Sequence, residues 1–164
     1  LAGERSLGFA ARASGAVAGL ASTTSAGEIA RAGLEAVAIR VAEADRRLDL
    51  VLPSARRLVA SGAALLSSPG WRRLMADATG KPLVTSRARE ASARGAALFV
   101  LEQLGLASRT PAPGYGRALK PDPAAHAAYR QAAARLEVLY DLLIRRRALE
   151  RGFAGPAPAT LNLA

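Results

Sequence analysis

A turn of small residues between a short apolar run and a helix start is the part of the sequence best suited to chemistry. Residues 59–71 have the sequence Val-Ala-Ser-Gly-Ala-Ala-Leu-Leu-Ser-Ser-Pro-Gly-Trp. Gly62 and Ala63 would let a ligand approach the main chain closely. A helix after Ser68 would direct N–H groups and the positive end of its dipole towards the turn, which suits the phosphates of a nucleotide. On spacing alone, a plain strand-to-helix turn is the commoner origin of such a pattern.

Five other side chains were candidates for chemistry, and most have a commoner structural explanation. Trp71 could cover an adenine ring, but a tryptophan on the apolar face of a helix usually belongs to the core. Asp77 follows an apolar stripe in mid-helix, where an acid is usually a surface or capping residue. His126, in the first turn of a predicted helix, is expected to be solvated rather than to act as a base. Glu4 and Arg5 could contact a substrate or form an internal ion pair, and the sequence leaves both open.

The composition excludes several classes of site. The chain has 164 residues, enough for one domain with a core. It contains no cysteine and one histidine, so disulfides, thiolate metal sites and multi-histidine sites are excluded. No apolar run approaches the roughly 20 residues of a membrane span, and residues 1–10 do not resemble a signal peptide. We expect a cytoplasmic protein.

The charge is strongly positive, at +10. A basic excess of this size favours nucleic-acid binding in general. Here only Lys81 and Lys120 are lysines among the 23 basic residues, and the arginines are scattered, with the longest run at 145–147. Aromatic residues that could stack on bases make up only 4% of the chain. A basic nucleic-acid-binding domain is therefore the least favoured of three functional hypotheses.

The elements around the turn are predicted from capping residues and apolar spacing. Ser25 and Glu28 form a capping-box pattern. After them, apolar residues recur every three or four positions and predict an amphipathic helix to about residue 48. Pro53 and Ser54 then break the pattern.

The turn itself lies between two predicted strands, at 57–60 and 83–85. Residues 63–67 are predicted to be a loop. A second helix is predicted to begin after Ser68, because serine followed by proline is a favourable helix start. Gly80 is placed to end it.

Two further helices are predicted beyond the second strand. One runs from about Glu90 to Leu104 and is ended by Gly105, with small residues on one side that would permit close packing. The last begins at Asp122, which is again followed by proline. Short strands alternating with helices predict an α/β layer.

The predicted organisation is one domain segment with extensions. Residues 1–107 form the domain segment, 108–121 a linker, 122–150 a helix packed on the same domain, and 151–164 a flexible tail. Two strands are too few for a self-sufficient sheet, so we expect the missing strands to come from elsewhere, with upstream sequence as the obvious source. The first residue is leucine rather than methionine, which agrees with a fragment.

Several runs resemble the FGGY carbohydrate kinases. Residues 60–82 contain Ala-Ser-Gly-Ala, Ser-Pro-Gly-Trp-Arg-Arg, Ala-Asp and Gly-Lys-Pro in that order. The family's adenosine motif has a Gly-Gly turn, Ser, Trp-Arg-Gln, Ala-Asp and Gly-x-Pro-Val. Residues 90–97 are similar to the Glu-Ala-x-Ala-x-Gly-Ala-Ala helix that follows, while 1–6 and 28–38 resemble the family's Gly-Glu-Arg and Asp-Ile-x-Arg-Ala elements. The similarity is collinear to about residue 143 and closest to gluconate-kinase-like members.

The resemblance implies a fold, a reaction and partners. The fold would be actin-like, with two RNase H-like domains, and this chain would be the C-terminal, nucleotide-binding α/β domain, with helices packed on a small incomplete sheet. The enzyme would transfer the γ-phosphate of ATP, bridged by Mg²⁺, to a hydroxyl of a sugar or sugar acid. Gluconate is the favoured substrate, with xylulose or related sugars as alternatives. The general-base aspartate belongs to an N-terminal lobe, so the chain alone is expected to be inactive; a homodimer is left open.

The resemblance also assigns site residues. Gly62 and Ala63 would lie against the nucleotide's phosphates and ribose, Ala64 would line the loop, and Ser68 would sit beside the nucleoside. No catalytic residue and no metal ligand is assigned within this chain.

Three departures from the family pattern qualify this assignment. Ala63 replaces the second glycine of the turn, Arg73 replaces the glutamine after Trp-Arg, and Leu7 replaces a proline. The added Cβ at Ala63 bears directly on nucleotide affinity. The second functional hypothesis is therefore a degenerate, non-catalytic remnant that serves as an interaction module.

Overall fold

The computed structural model describes residues 3–4, 7–11, 13–52, 55–88, 90–106 and 113–146. Its helices and strands follow the predicted order closely. They are α1 (Ala26–Leu48), β1 (Leu58–Ala60), α2 (Ala63–Ser67), α3 (Pro69–Thr79), β2 (Leu83–Thr85), α4 (Ala91–Gln103), α5 (Pro123–Tyr140) and a π-helical segment (Asp141–Arg146). Within the described residues no helix is both long and apolar enough to cross a bilayer.

Contacts divide the chain into two compact units, with the boundary inside α5. The larger unit is Thr23–Arg130, and the smaller combines Leu1–Ser22 with Gln131–Ala164. In the smaller unit the Tyr140 hydroxyl donates a hydrogen bond to the Glu4 carboxylate. Glu4 is therefore engaged internally. Arg5, the predicted linker up to residue 112 and the predicted tail at 151–164 lie outside the described residues.

The sheet of the larger unit is small and parallel. β1 pairs with β2, with Leu58 opposite Leu83. Two antiparallel bridges, from Leu83 to Leu119 and from Ser86 to Tyr115, attach a third segment beside β2. Much of the described end of the predicted linker thus lies along the sheet.

The start of α1 follows the predicted capping box. The Ser25 hydroxyl accepts a hydrogen bond from the Glu28 N–H at 3.2 Å, and the Glu28 carboxylate accepts one from the Ser25 N–H at 2.8 Å. α1 ends at Leu48, ahead of the predicted break at Pro53 and Ser54, which lie outside the described residues.

The core lies where α1, α3 and the sheet meet. Its buried members are mostly small: Ala38, Ala60, Met75, Ala76, Ala78 and Leu83. The core contains few large side chains, and its alanines allow the helices and strands to approach closely. It fixes α3 over the sheet and thereby sets the position of the turn after β1.

The prediction of a loop at 63–67 is wrong, because these residues form α2. A five-residue helix is too short to be stable by itself. Its end is held from outside: the Arg72 guanidinium donates to the carbonyl oxygens of Leu65 and Leu66 at 2.7 and 2.6 Å. These bonds satisfy carbonyls that a helix end would otherwise leave unpaired. The remaining predicted helices and strands are present, with ends within a few residues.

Candidate functional site

The turn after β1 has a backbone conformation that requires glycine. Gly62 has φ 85° and ψ 150°, a region that is essentially restricted to glycine. A Cβ built on Gly62 would meet nothing within 4 Å, so the requirement comes from the backbone and not from crowding. Gly62, Ala63 and Ala64 are all exposed. The turn is thus open to a ligand instead of being sealed in the core.

Ser68 has a local structural role. Its hydroxyl accepts a hydrogen bond from the Trp71 N–H at 3.2 Å and caps α3, with Pro69 as the first helical residue. The helix that directly follows the turn is α2, and not the helix after Ser68 as expected. Ser68 is therefore separated from Gly62 by one short helix along the chain.

The turn lies at the carboxyl edge of the sheet, since β1 and β2 run parallel. Ligands of open α/β sheets commonly bind at this edge. Beyond β2 the chain is fixed by backbone bonds: the Ser86 N–H donates to the Ala60 carbonyl, and the Gly116 N–H donates to the Thr85 carbonyl, both at 2.8 Å. The edge is therefore a defined surface on which the exposed turn is presented.

Asp77 and His126 join α3 to the start of α5. Asp77 is only 5% exposed. Its carboxylate accepts a hydrogen bond from the Asp122 N–H at 2.8 Å, and its carbonyl lies 2.9 Å from the His126 Nδ1. Of the two roles expected for Asp77, a surface acid is wrong because the side chain is buried, whereas its carboxylate does accept a backbone N–H at the start of α5, as a capping acid would. The expectation that His126 is solvated is wrong, because its ring is partly buried against the Asp77 carbonyl. Both groups are used to hold α5, and neither faces an open site.

Gly80 has to be glycine because the His126 ring packs directly against its Cα. A Cβ on Gly80 would lie 2.6 Å from the imidazole ring, and Gly80 also has a left-handed φ of 70°. The predicted end of α3 at Gly80 is confirmed, and the imidazole supplies a second reason for glycine there. Trp71 packs partly buried against the core cluster, as expected.

Lys81 forms an ionic clamp that the sequence analysis missed. Its ammonium group lies 2.8 Å from the Asp45 carboxylate and 2.7 Å from the Asp49 carboxylate. Burial lowers the pKa of Lys81, but the hydrogen bonds to the two aspartates outweigh this and raise it above its ordinary value. The clamp ties the turn after α3 to the end of α1. The available signal was a pair of acids four residues apart, one in the last turn of α1 and one directly after its end.

A second missed feature is a cavity with basic walls between α3 and the segment 117–120. Two adjoining cavities of about 550 and 390 Å³ share Arg73, Arg117 and Leu119 as lining residues. The smaller also contacts Arg72, and the larger contacts Lys120. We call these joined cavities the cationic pocket. Among the described residues, no three histidine, aspartate or glutamate side chains come together as a metal site.

Residues 1–101, more than half of the chain, match the C-terminal domain of the FGGY family of carbohydrate kinases. The chain belongs to this family. The predicted family and its α/β part of an actin-like ATPase fold are thereby confirmed. A search of curated proteins found no match.

Solved structures resemble this FGGY chain. A xylulose kinase from Rhodospirillum rubrum is 28% identical, with a TM-score of 0.68, over 80% of this chain and 28% of that one. A kinase from Brucella ovis, described as a xyloylose kinase, is 26% identical with a TM-score of 0.69, over 82% of this chain and 28% of that one. A ligand-bound xylulose kinase from Lactobacillus acidophilus shares the fold at 23% identity, with a TM-score of 0.73, over 87% of this chain and 30% of that one. The FGGY chain therefore spans less than a third of each kinase.

Proposed function

We propose that this chain is the nucleotide-binding C-terminal portion of an ATP-dependent kinase that phosphorylates a sugar or sugar-acid hydroxyl. Family membership supports the class of reaction. The neighbouring structures are described as xylulose kinases, whereas the sequence resemblance favours gluconate, so these two compounds are the substrates to compare. We also propose a cytoplasmic location, because ATP-dependent sugar metabolism of this kind takes place there.

The observation that carries the proposal is the exposed turn at Gly62. Gly62 has a backbone conformation that is essentially restricted to glycine, although there would be room for a Cβ at this position. A glycine in this conformation at an exposed turn leaves the main chain open to close approach by a ligand. The main chain of Gly62, Ala63 and Ala64 would lie along the phosphates and ribose of ATP.

Ser68 would contribute by position and not by a new bond to the nucleotide. Its hydroxyl already caps α3, and Arg72 from the same helix holds the end of α2. Together they fix the segment between the turn and α3, so that a bound nucleotide would meet a preorganised surface. Preorganisation of this kind reduces the entropy lost on binding.

Catalysis would require groups outside this chain. The resemblance assigns the general base to an aspartate of an N-terminal lobe, and Mg²⁺ would be held chiefly by the ATP phosphates. Phosphoryl transfer depends on positioning and charge neutralisation across both lobes. The 164 residues alone should therefore bind ATP without turning it over.

The test is ATP binding by the chain, measured by calorimetry with Mg²⁺ present. Gly62→Ala forces a side chain into the disfavoured backbone conformation and should weaken binding by about tenfold, since such strain costs roughly 1–3 kcal/mol. Ala63→Gly restores the second glycine of the family turn and should strengthen binding a few-fold. Gly33→Ala in α1 is the control, because a Cβ there meets nothing within 4 Å and its φ is not left-handed.

Absence of ATP binding, or equal affinities for all four proteins, would refute the proposal and favour a non-catalytic remnant. Substrate choice needs the enzyme with its N-terminal lobe. A coupled assay with gluconate and xylulose would then show which one is phosphorylated, and turnover by the isolated chain would contradict the division of roles between lobes.

A further inference from the structure

We propose that the cationic pocket binds the phosphoryl group of a small anionic ligand, at a site distinct from the Gly62 turn. Neither Gly62 nor Ala63 lines either cavity. The inference does not depend on ATP binding at the turn.

The basic side chains of the pocket are only partly neutralised. The Arg117 side chain has no hydrogen bond or ion pair within the described part of the chain, and the same holds for the Lys120 ammonium group. Asp77, the acid that Arg73 contacts, is buried and accepts the Asp122 N–H. The Asp122 carboxylate in turn accepts the backbone N–H groups at the start of α5. The pocket therefore retains a net positive charge.

The Arg73 guanidinium is fixed by contacts at one nitrogen, while its other N–H donors remain available to an anion. One of its guanidinium nitrogens donates to the Lys120 carbonyl at 2.8 Å and lies 3.4 Å from the Asp77 carboxylate. Its side chain is nevertheless 46% exposed. A planar guanidinium that is anchored at one nitrogen can still present its other donors to a phosphate. Arginine at this position is not part of the family motif, which has glutamine there.

The size and walls of the pocket fit a small phosphorylated compound. Volumes of about 550 and 390 Å³ fall within the range of roughly 300–1,000 Å³ typical of small-molecule sites. Leu119, Ala118 and Pro69 provide apolar wall, and Thr85 lies at the smaller cavity. Pro69 is the first residue of the 11-residue α3, whose positive end adds to the attraction for an anion.

The same features argue against a nucleic-acid strand as the occupant. No described aromatic side chain lines either cavity, so bases would have no stacking surface. Tyr115, which is on the neighbouring segment, is already covered by the Arg57 guanidinium at 5.0 Å. An open hollow lined by clustered guanidinium groups favours one compact phosphoryl group.

The test uses inorganic pyrophosphate as the probe and the full 164-residue chain, with binding measured by calorimetry at low salt. Arg117→Gln should weaken binding about tenfold, because it removes a charged donor that has no other partner. Arg73→Gln, which installs the family residue, should have an effect of similar size. Arg56→Gln is the control: it removes the same charge from an exposed residue before the amino end of β1, and should change affinity less than twofold.

Two further measurements separate this site from its alternatives. Gly62→Ala should leave pyrophosphate affinity within twofold, so failure of the ATP proposal would not affect this result. A single-stranded 12-mer oligonucleotide should be no more sensitive to Arg117→Gln than to Arg56→Gln.

The proposal is overturned if pyrophosphate does not bind, or if the three arginine variants weaken it equally. It is also overturned if Gly62→Ala abolishes pyrophosphate binding while Arg117→Gln does not. Selective loss of oligonucleotide binding in Arg117→Gln, with unchanged pyrophosphate binding, would identify a nucleic-acid surface instead. Arg117 makes no bond that the fold requires, so this variant remains informative if Arg73→Gln unfolds.

Discussion

Helices α3 and α4 show how differently two similar sequence patterns can be used in one chain. α3 buries four consecutive residues, Met75 to Ala78, whereas α4 has no buried residue. On α4, Phe99 is 62% exposed, and Leu104, which follows its end, is 64% exposed. Both helices were predicted from apolar residues with small neighbours and a glycine at the end.

The two helices differ in burial because they differ in the elements that pack against them. α3 is packed between α1 and the sheet, while no described element buries α4. An apolar face indicates that a helix needs a partner, but it does not say that the partner is in the same chain. Under the proposed function, α4 would be covered by parts of the kinase outside this chain.

The comparison is tested most strongly by deleting one large apolar side chain from each helix. Met75→Ala should lower the free energy of unfolding by about 2–5 kcal/mol, because it opens a cavity in the core. Phe99→Ala should change it by less than about 0.5 kcal/mol, because the side chain is already in solvent. Urea denaturation followed by circular dichroism measures both. Equal losses would show that α4 is buried in solution.

The next largest effect is expected at Asp77, which links α3 to α5. Asp77→Ala should cost about 1–1.5 kcal/mol, because it removes the acceptor of the Asp122 N–H from a partly buried hydrogen bond. Asp77→Asn keeps one carbonyl oxygen as acceptor and should recover part of this loss in the same denaturation assay. If Asn is as damaging as Ala, charge and not the hydrogen bond holds the junction.

A smaller effect is expected from the Lys81 clamp, which ties the end of α3 to α1. Because the pKa of Lys81 is raised in the folded state, the clamp should stabilise the protein fully below pH 10 and lose its effect as the pH rises through that raised value. Unfolding free energies from pH 8 to 12 should therefore fall more steeply for the wild type than for Lys81→Gln. At pH 7 the variant should lose about 1 kcal/mol.

The Lys81→Gln variant is needed because Tyr129 also makes the free energy of unfolding fall as the pH rises. Burial, followed by the nearby Glu35 carboxylate, raises the pKa of Tyr129. Both proteins contain Tyr129, so only their difference reports on Lys81. Parallel curves for the two proteins would show that the clamp does not contribute.

The smallest effect is expected on the exposed side of α1, where packing plays little part. Hydrogen bonding from Arg46 lowers the pKa of Glu43 to about 2, burial opposes this, and Arg47 adds to the lowering. Stability from Glu43 is therefore present above pH 4.5 and is lost as the pH falls through about 2. Since both arginines are largely exposed, the contribution should be only about 0.5 kcal/mol. Unfolding free energies of the wild type and Glu43→Gln should converge between pH 5 and 2; a constant gap would contradict the assignment.

Local rules were sufficient for much of the fold. The capping box at Ser25, the proline after Ser68 and the left-handed Gly80 define helix ends through bonds between residues close in sequence. Such bonds can be predicted because they require no knowledge of the rest of the chain. The exposed turn at Gly62 was located for the same reason, although its role in nucleotide binding remains a prediction.

Long-range contacts were not predictable in this way. The helix at 63–67 depends on the Arg72 guanidinium, and the burial of Asp77 depends on a hydrogen bond from Asp122, 45 positions further along the chain. The cationic pocket likewise needs α3 to meet the segment 117–120. Arginines scattered in the sequence gave no signal that some of them converge.

The sequence by itself determined most of the helices and strands, although not the helix at 63–67, together with the small-residue turn after β1 and the kinase family. Capping, chirality and apolar spacing act over a few residues, so they can be recognised from residues that are close together in the sequence. Only the tertiary structure decided which apolar faces are buried and which basic side chains gather at one cavity. Those outcomes depend on elements meeting across dozens of residues, and on burial that excludes water from one helix while leaving another exposed.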